Sequence, residues 1–173
     1  MQSSQKNITS LTIAYPLRGE GALLNLLSKI PDPEIPVINI VELGIVRDAK
    51  MISENKAEIT ITPTYSACPA MYNIEEDIVK LLKEHGITAK VKTQMFPIWT
   101  TDWMTDEARE KLRDYGIAPP QKEAGESRLH SPKRCPRCGS ENTTEISRFG
   151  STLCKSTYQC KDCLEPFDYF KCH

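Results

Sequence analysis

Seven cysteines carry most of the chemistry open to this 173-residue sequence, and four of them fall into two pairs. Cys135-Pro-Arg-Cys138-Gly139 and Cys160-Lys-Asp-Cys163 stand 21 residues apart. Two such knuckles can place four thiolates at tetrahedral corners, which suits zinc because that ion asks for little beyond close-packed soft ligands. A structural zinc held by Cys135, Cys138, Cys160 and Cys163 is therefore the expectation. Iron, or a cluster, in the same cage stays open, since four thiolates serve both. A module of about 40 residues is too small to fold on packing alone, so the metal would hold it together. The odd number of cysteines and the Cys-x-x-Cys spacing fit a reducing compartment and metal rather than disulfides.

Cys68 is a different kind of candidate. It ends the run Ile59-Thr-Ile-Thr-Pro-Thr-Tyr-Ser-Ala-Cys68 and is followed by Pro69, a residue suited to the first position of a helix. A thiol at or near a helix N-cap meets unpaired N–H groups and the positive end of the helix dipole, both of which favour thiolate. Cys68 is then a soft metal ligand or a nucleophile; the plainer reading is a small buried residue that only packs. Cys154, Cys172 and His173 fall outside the four-ligand set and are either packing and tail residues or part of a second labile metal site. His85, at a helix end, and His130, in a polar linker, are isolated and make weak ligand candidates.

The elements that must position these residues follow from periodicity. Leu23, Leu24, Leu27 and Ile30 share one helical face over 19–30, and Pro31 ends that helix. Pro31-Asp-Pro-Glu-Ile-Pro36 is a rigid loop presenting Asp32 and Glu34, because three prolines fix the backbone and remove donors. It is a structural turn or a site-shaping one. Residues 46–52 and 56–62 alternate as strands joined by a short hairpin, and Ile74, Ile78, Leu81 and Leu82 stripe a helix ending near His85-Gly86. A third strand at 88–95 and a helix at 105–115 complete the unit, with Thr105 as N-cap and Gly116 at the C-terminus. Trp99 and Trp103 read as core or lid packing. The expected fold is α+β, a small sheet with helices packed on it, followed by a β-rich zinc ribbon. In residue terms this gives a loose segment 1–18, a first domain 19–118, a linker 119–133 and a ribbon 134–173.

Charge narrows the partners. The formal net charge is −1 with mixed signs, so no basic field for nucleic acid or an anionic membrane is built. From Lys133 to His173 there are seven Lys or Arg against five Asp or Glu, and zinc with four thiolates contributes −2, which cancels the excess. With no apolar run of bilayer length and a polar start, a cytoplasmic protein is expected.

Asp32-Pro-Glu-Ile-Pro36, Glu42-Leu-Gly-Ile-Val46 and Thr62-Pro-Thr-Tyr-Ser-Ala-Cys68-Pro69 together resemble the metal-sulfur cluster assembly family, of the DUF59 type. Over a longer span, Phe96-Pro-Ile-Trp-Thr-Thr-Asp-Trp-Met-Thr105, Leu112-Arg-Asp-Tyr-Gly-Ile-Ala-Pro-Pro120, Arg148-Phe-Gly-Ser-Thr-Leu-Cys154-Lys and Glu165-Pro-Phe-Asp-Tyr-Phe-Lys-Cys172 resemble the D subunits of bacterial phenylacetyl-CoA epoxidases. The resemblance implies an accessory protein of aerobic phenylacetate breakdown. Such a protein assembles or delivers iron or iron-sulfur clusters to the oxygenase and reductase components of the ring 1,2-epoxidation system, beside the iron-sulfur assembly machinery. It also implies Cys68 as the reactive or cluster-binding thiolate, with Asp32, Glu34 and Thr62 lining its pocket.

No catalysis by the chain itself is expected, because it shows no carboxylate and histidine pairing for di-iron, no Gly-rich dinucleotide loop and no triad. A lone thiolate would hold iron or a cluster loosely, so a second copy in a homodimer, or the client, would complete the ligand set. The second reading is a stoichiometric structural or coupling subunit of the oxygenase complex, with the ribbon as a docking module and Cys68 only packing. Thiol-disulfide exchange fits less well, since Cys68 has no partner at Cys-x-x-Cys spacing.

Overall fold

The computed structural model of the chain describes residues 18–19, 21–121 and 133–171. Residues 1–17 of the expected N-terminal segment, most of the expected linker with His130, and Cys172 and His173 lie outside the described residues. Among the described residues the fold is α+β with a β-rich C-terminal ribbon, as the sequence leads one to expect.

A four-stranded sheet ordered β1-β2-β3-β4 forms from β1 (Arg18–Gly19), β2 (Val46–Ser53), β3 (Lys56–Ile61) and β4 (Thr88–Thr93). Strands β2 and β3 are an antiparallel hairpin, whereas β4 runs parallel to β3 and is reached through a helical crossover, α2 (Ala70–Glu84). Ile59 and Ile61 point into the core while Glu58 and Thr60 stay part-exposed, the alternation of a strand with one buried face. α2 lays Ala70, Ile74, Ile78 and Leu82 on that core at helical spacing. It ends where Gly86, at φ 74°, lets the Gly86 and Ile87 N–H groups return to the carbonyls of Lys83 and Leu82. The first helix, α1 (Gly21–Leu27), is shorter than the apolar pattern suggests. Lys29 and Ile30 donate to carbonyls three residues back, which tightens the last turn and closes it before Pro31.

The segment after Thr93 ties the two parts of the molecule together. A 3-10 turn at Thr101–Trp103 leads to α3 (Asp106–Tyr115), capped by the Thr105 hydroxyl accepting from the Ala108 N–H at 3.0 Å. Both tryptophans are core residues: Trp99 donates its indole N–H to the Leu43 carbonyl at 3.0 Å, and Trp103 carries the Arg47 guanidinium on its face, 3.5 Å from the ring centroid. Gly44, at φ 78°, is required here, because a Cβ would come within 2.6 Å of the Trp103 carbonyl oxygen.

The ribbon strands β6 (Thr143–Ser147), β7 (Lys155–Cys160) and β8 (Pro166–Phe170) are antiparallel, and β5 (Ile117–Ala118), directly after α3, adds to β8 in parallel. The ribbon sheet therefore takes its edge strand from the residues that close the first domain. Phe170 meets Trp99 edge-on with ring centroids 6.0 Å apart, and Cys154 and Phe170 belong to the same buried cluster as Leu27, Ile61 and Trp99.

Candidate functional site

The two knuckles bring four sulfurs together. Cys135 and Cys163 stand 3.7 Å apart and Cys138 and Cys160 3.6 Å, with all four Sγ atoms within 4.8 Å of one another. A tetrahedron with metal-sulfur bonds of about 2.3 Å has edges of about 3.8 Å, so the quartet fits one metal ion. The knuckle backbones favour charge on sulfur: the N–H groups of Cys163 and Asp162 point at Cys160 and bring its thiol down to about 7. At Cys138 the Ser140 N–H acts the same way, yet the neighbouring sulfurs override it and push that thiol up to about 12. Four thiols this close cannot all ionise without a cation among them. The two turns are not equivalent in backbone cost. Gly139 takes φ 76° after the first pair, while the matching position after the second is Leu164 at φ 63°.

A second cluster gathers around Cys68. α2 begins at Ala70 with Pro69 as its N-cap residue, so Cys68 sits one position outside the helix and receives the Ala70 N–H. The helix end alone predicts a lowered thiol. In the fold, burial pushes the Cys68 thiol up, the Ala70 N–H pulls it down, the Glu34 charge pushes it up again, and the net direction is upward. The Tyr65 hydroxyl hydrogen-bonds to Cys68 and is itself raised, first by burial and then by the charges of Cys68, Glu34 and Cys154.

The proline-rich loop delivers the carboxylates. Asp32 is buried, and its Oδ1 accepts the backbone N–H groups of Glu34 at 2.9 Å and Ile35 at 2.8 Å, which makes it the pivot of the turn between Pro31 and Pro36. Burial raises its carboxyl above the usual range, against the pull of those two N–H groups and of nearby Lys155. Glu34 projects from the same turn to Cys154, whose Sγ donates to Glu34 Oε2 at 3.3 Å. The Thr152 hydroxyl lies 3.0 Å from the same sulfur, and burial is the main cause that takes the Cys154 thiol up to about 12. Thr62, directly after β3, is buried, and its hydroxyl is without a hydrogen-bond partner among the described residues.

The charges of Glu34 and Asp32 both reach Cys68, although the loop and the helix start are separate in sequence. Cys154 contacts Glu34, Tyr65 contacts Cys68 and the Lys155 charge reaches Asp32, none of which has any mark in the spacing: Cys154 belongs to no pair, and its place depends on the ribbon docking against Trp99. A concavity of ≈ 580 Å³ between α3 and the first knuckle is lined by Arg113, Arg134 and Pro120 among others and by none of the residues around Cys68. No helix among the described residues is long and apolar enough to cross a membrane.

A small α+β domain with a helix-mouth thiol, joined to a four-cysteine ribbon, defines a class. Residues 20–92 match the family model described as an iron-sulfur cluster assembly protein, and residues 119–171 match the one described as the PaaD zinc beta ribbon domain. A crystal structure of a domain of unknown function, DUF59, from Bacillus anthracis is 31% identical with a TM-score of 0.51, covering 54% of this chain and 90% of that one. An Fe-S protein maturation auxiliary factor of Porphyromonas gingivalis (strain ATCC BAA-308 / W83) is 32% identical over 56% of this chain and 92% of its own length. A protein of Escherichia coli (strain K12) assigned as the D subunit of 1,2-phenylacetyl-CoA epoxidase is 52% identical over 85% of this chain and 89% of its own length. The chain belongs to this D-subunit family.

Proposed function

We propose that the chain is a cytoplasmic accessory protein that delivers iron, as the ion or within an iron-sulfur cluster, to the oxygenase or reductase components of a phenylacetyl-CoA epoxidase. The observation that carries this reading is the Cys68 cluster: a half-buried thiol at the mouth of α2 with Glu34, Asp32 and Tyr65 around it, in the domain that matches iron-sulfur cluster assembly proteins. The quartet of Cys135, Cys138, Cys160 and Cys163 is read as the seat of a structural zinc, because it is closed and its sulfurs already stand at tetrahedral spacing. The cargo metal is the substrate, and it supplies the redox chemistry only after it reaches the client.

What the chain's own residues do is bind and release. Cys68 offers sulfur, the Ala70 N–H and the Tyr65 hydroxyl steady it, and the nearby Glu34 charge favours an arriving cation that displaces the Cys68 thiol proton. A site with few protein ligands leaves coordination positions for the client, which a transfer protein requires. No catalytic step is assigned to the chain.

The test is the iron content and turnover of the oxygenase and reductase, produced in cells with and without this chain and then assayed in its absence. Metal-deficient, slow components from cells lacking it, against components that turn over unaided when made with it, are the expected result. Fully metallated components that work only when the purified chain is added in proportion would make it a stoichiometric subunit and end this reading.

A further inference from the structure

We infer that the concavity between α3 and the first knuckle is a binding site for a small phosphorylated molecule of nucleotide type, held by the guanidinium groups of Arg109, Arg113 and Arg134. The site is separate from the Cys68 cluster, and nothing in it depends on the cargo reading of that thiol.

The volume of ≈ 580 Å³ falls within the range of about 300–1,000 Å³ typical of small-molecule pockets. Three arginines line it, and no Asp or Glu does. Arg109 and Arg113 stand four residues apart on α3, so they share one face of the helix. Arg109 is 6% exposed, and its guanidinium donates to the carbonyls of Pro120 and Thr101, neutral groups that fix its position without cancelling its charge. Arg113, exposed one turn further on, has no ion-pair partner among the described residues. Arg134 comes from the other wall, where Glu141 holds its Nη2 at 2.7 Å and its Nε at 2.9 Å and so orients the fork.

A guanidinium fork matches carboxylate and phosphate oxygens alike. Three forks around one cavity suit an anion with several oxygens and more than one charge, which selects phosphate over a single carboxylate. A bare phosphate would leave most of the volume to water. The remaining wall includes the rings of Pro119, Pro120 and Pro136, a rigid apolar surface on which a planar body can lie. Phosphate at one end and a flat, largely apolar group at the other describe a nucleotide. Because α3 supplies two of the arginines and the ribbon the third, the ligand would bridge the two parts of the molecule and stabilise their docking.

ADP is the probe, titrated calorimetrically in magnesium-free buffer into reduced, full-length chain carrying one zinc. One ADP per chain is expected, with affinity falling as salt rises and with pyrophosphate and adenosine each binding at least tenfold more weakly. Arg113→Gln should weaken ADP tenfold or more at unchanged zinc content, whereas Lys90→Gln, which removes one exposed charge from β4, should not. Arg134→Gln should act as Arg113→Gln does; if it loses zinc, Arg113→Gln decides alone. Absence of ADP binding at millimolar concentration overturns the site, as does unchanged affinity in Arg113→Gln. Pyrophosphate bound as tightly as ADP would remove the nucleotide body from the proposal and so overturn it, and adenosine bound as tightly would overturn the role of the arginines. If Arg113→Gln spares ADP binding and instead speeds zinc loss, the arginines serve to offset the charge of the quartet and the proposal fails.

Discussion

The molecule holds two clusters of cysteine sulfur built on opposite principles. The ribbon quartet is local and closed: two tight turns aim four sulfurs at one point, and backbone N–H groups are directed at those sulfurs. The cluster at Cys68 draws on a proline-rich loop, a helix mouth and a ribbon loop, and mixes sulfur with carboxylate. A closed set of four soft ligands retains a metal, whereas an open, mixed set whose ligands sit on separate elements can release one. Under the proposed function the two clusters have different tasks, retention and transfer.

Removing the retained metal should have the largest effect. Structural zinc in small modules contributes about 10–16 kcal/mol of apparent folding free energy. Cys160→Ser, or exhaustive chelation, should therefore abolish hydrogen-exchange protection in β6–β8 while β2–β4 keep theirs. Protection retained in β7 without metal would mean that packing, not the ion, orders the ribbon.

Trp99→Ala comes next. It removes the ring that meets Phe170 and the bond to the Leu43 carbonyl, and loss of a buried tryptophan costs about 3–5 kcal/mol. Denaturant unfolding should lose its single cooperative transition as the two parts come apart, which also tests whether Cys154 is held against Glu34 by docking.

Cys68→Ala should change stability by about 1 kcal/mol or less, because the residue is small and half-buried, yet the client proteins made beside it should be iron-deficient. Normal iron loading of those clients by this variant would remove Cys68 from the account.

The smallest effect is expected at Leu164, which takes a left-handed conformation in the second knuckle and is 68% exposed. Leu164→Gly relieves about 1–2 kcal/mol of backbone strain against about 0.5–1 kcal/mol of added chain entropy. A slight gain in thermal stability with unchanged zinc affinity is the expected readout.

Which parts of this are legible in sequence follows the same division. The knuckles, the β2–β3 hairpin, α2 with its Gly86 end and the Thr105 cap are readable because spacing and local chemistry alone specify them. Cys68 is readable as a candidate from its place before a helix and Asp32 and Glu34 from the proline-rich loop, while their grouping with Thr62 comes through family resemblance. Cys154 is not, because its position is set by long-range contacts, β5 pairing with β8 and Phe170 meeting Trp99, that no local period encodes. The state of Cys68 departs from the sequence expectation for a related reason. The helix terminus is visible in the sequence, while the burial and the Glu34 charge that outweigh it arise from tertiary packing.

The contrast between retention and transfer is tested most directly by a chelator challenge. Full-length chain is loaded with one zinc and one cobalt(II), excess EDTA is added, and both metals are followed with time in wild type and in Cys68→Ser. The account predicts that cobalt leaves wild type well before zinc and is not taken up beyond background by Cys68→Ser, while zinc behaves alike in both. Cobalt retained as long as zinc, or loss of both metals in one phase, would contradict the division of the molecule into a site that keeps its metal and a site that gives it away.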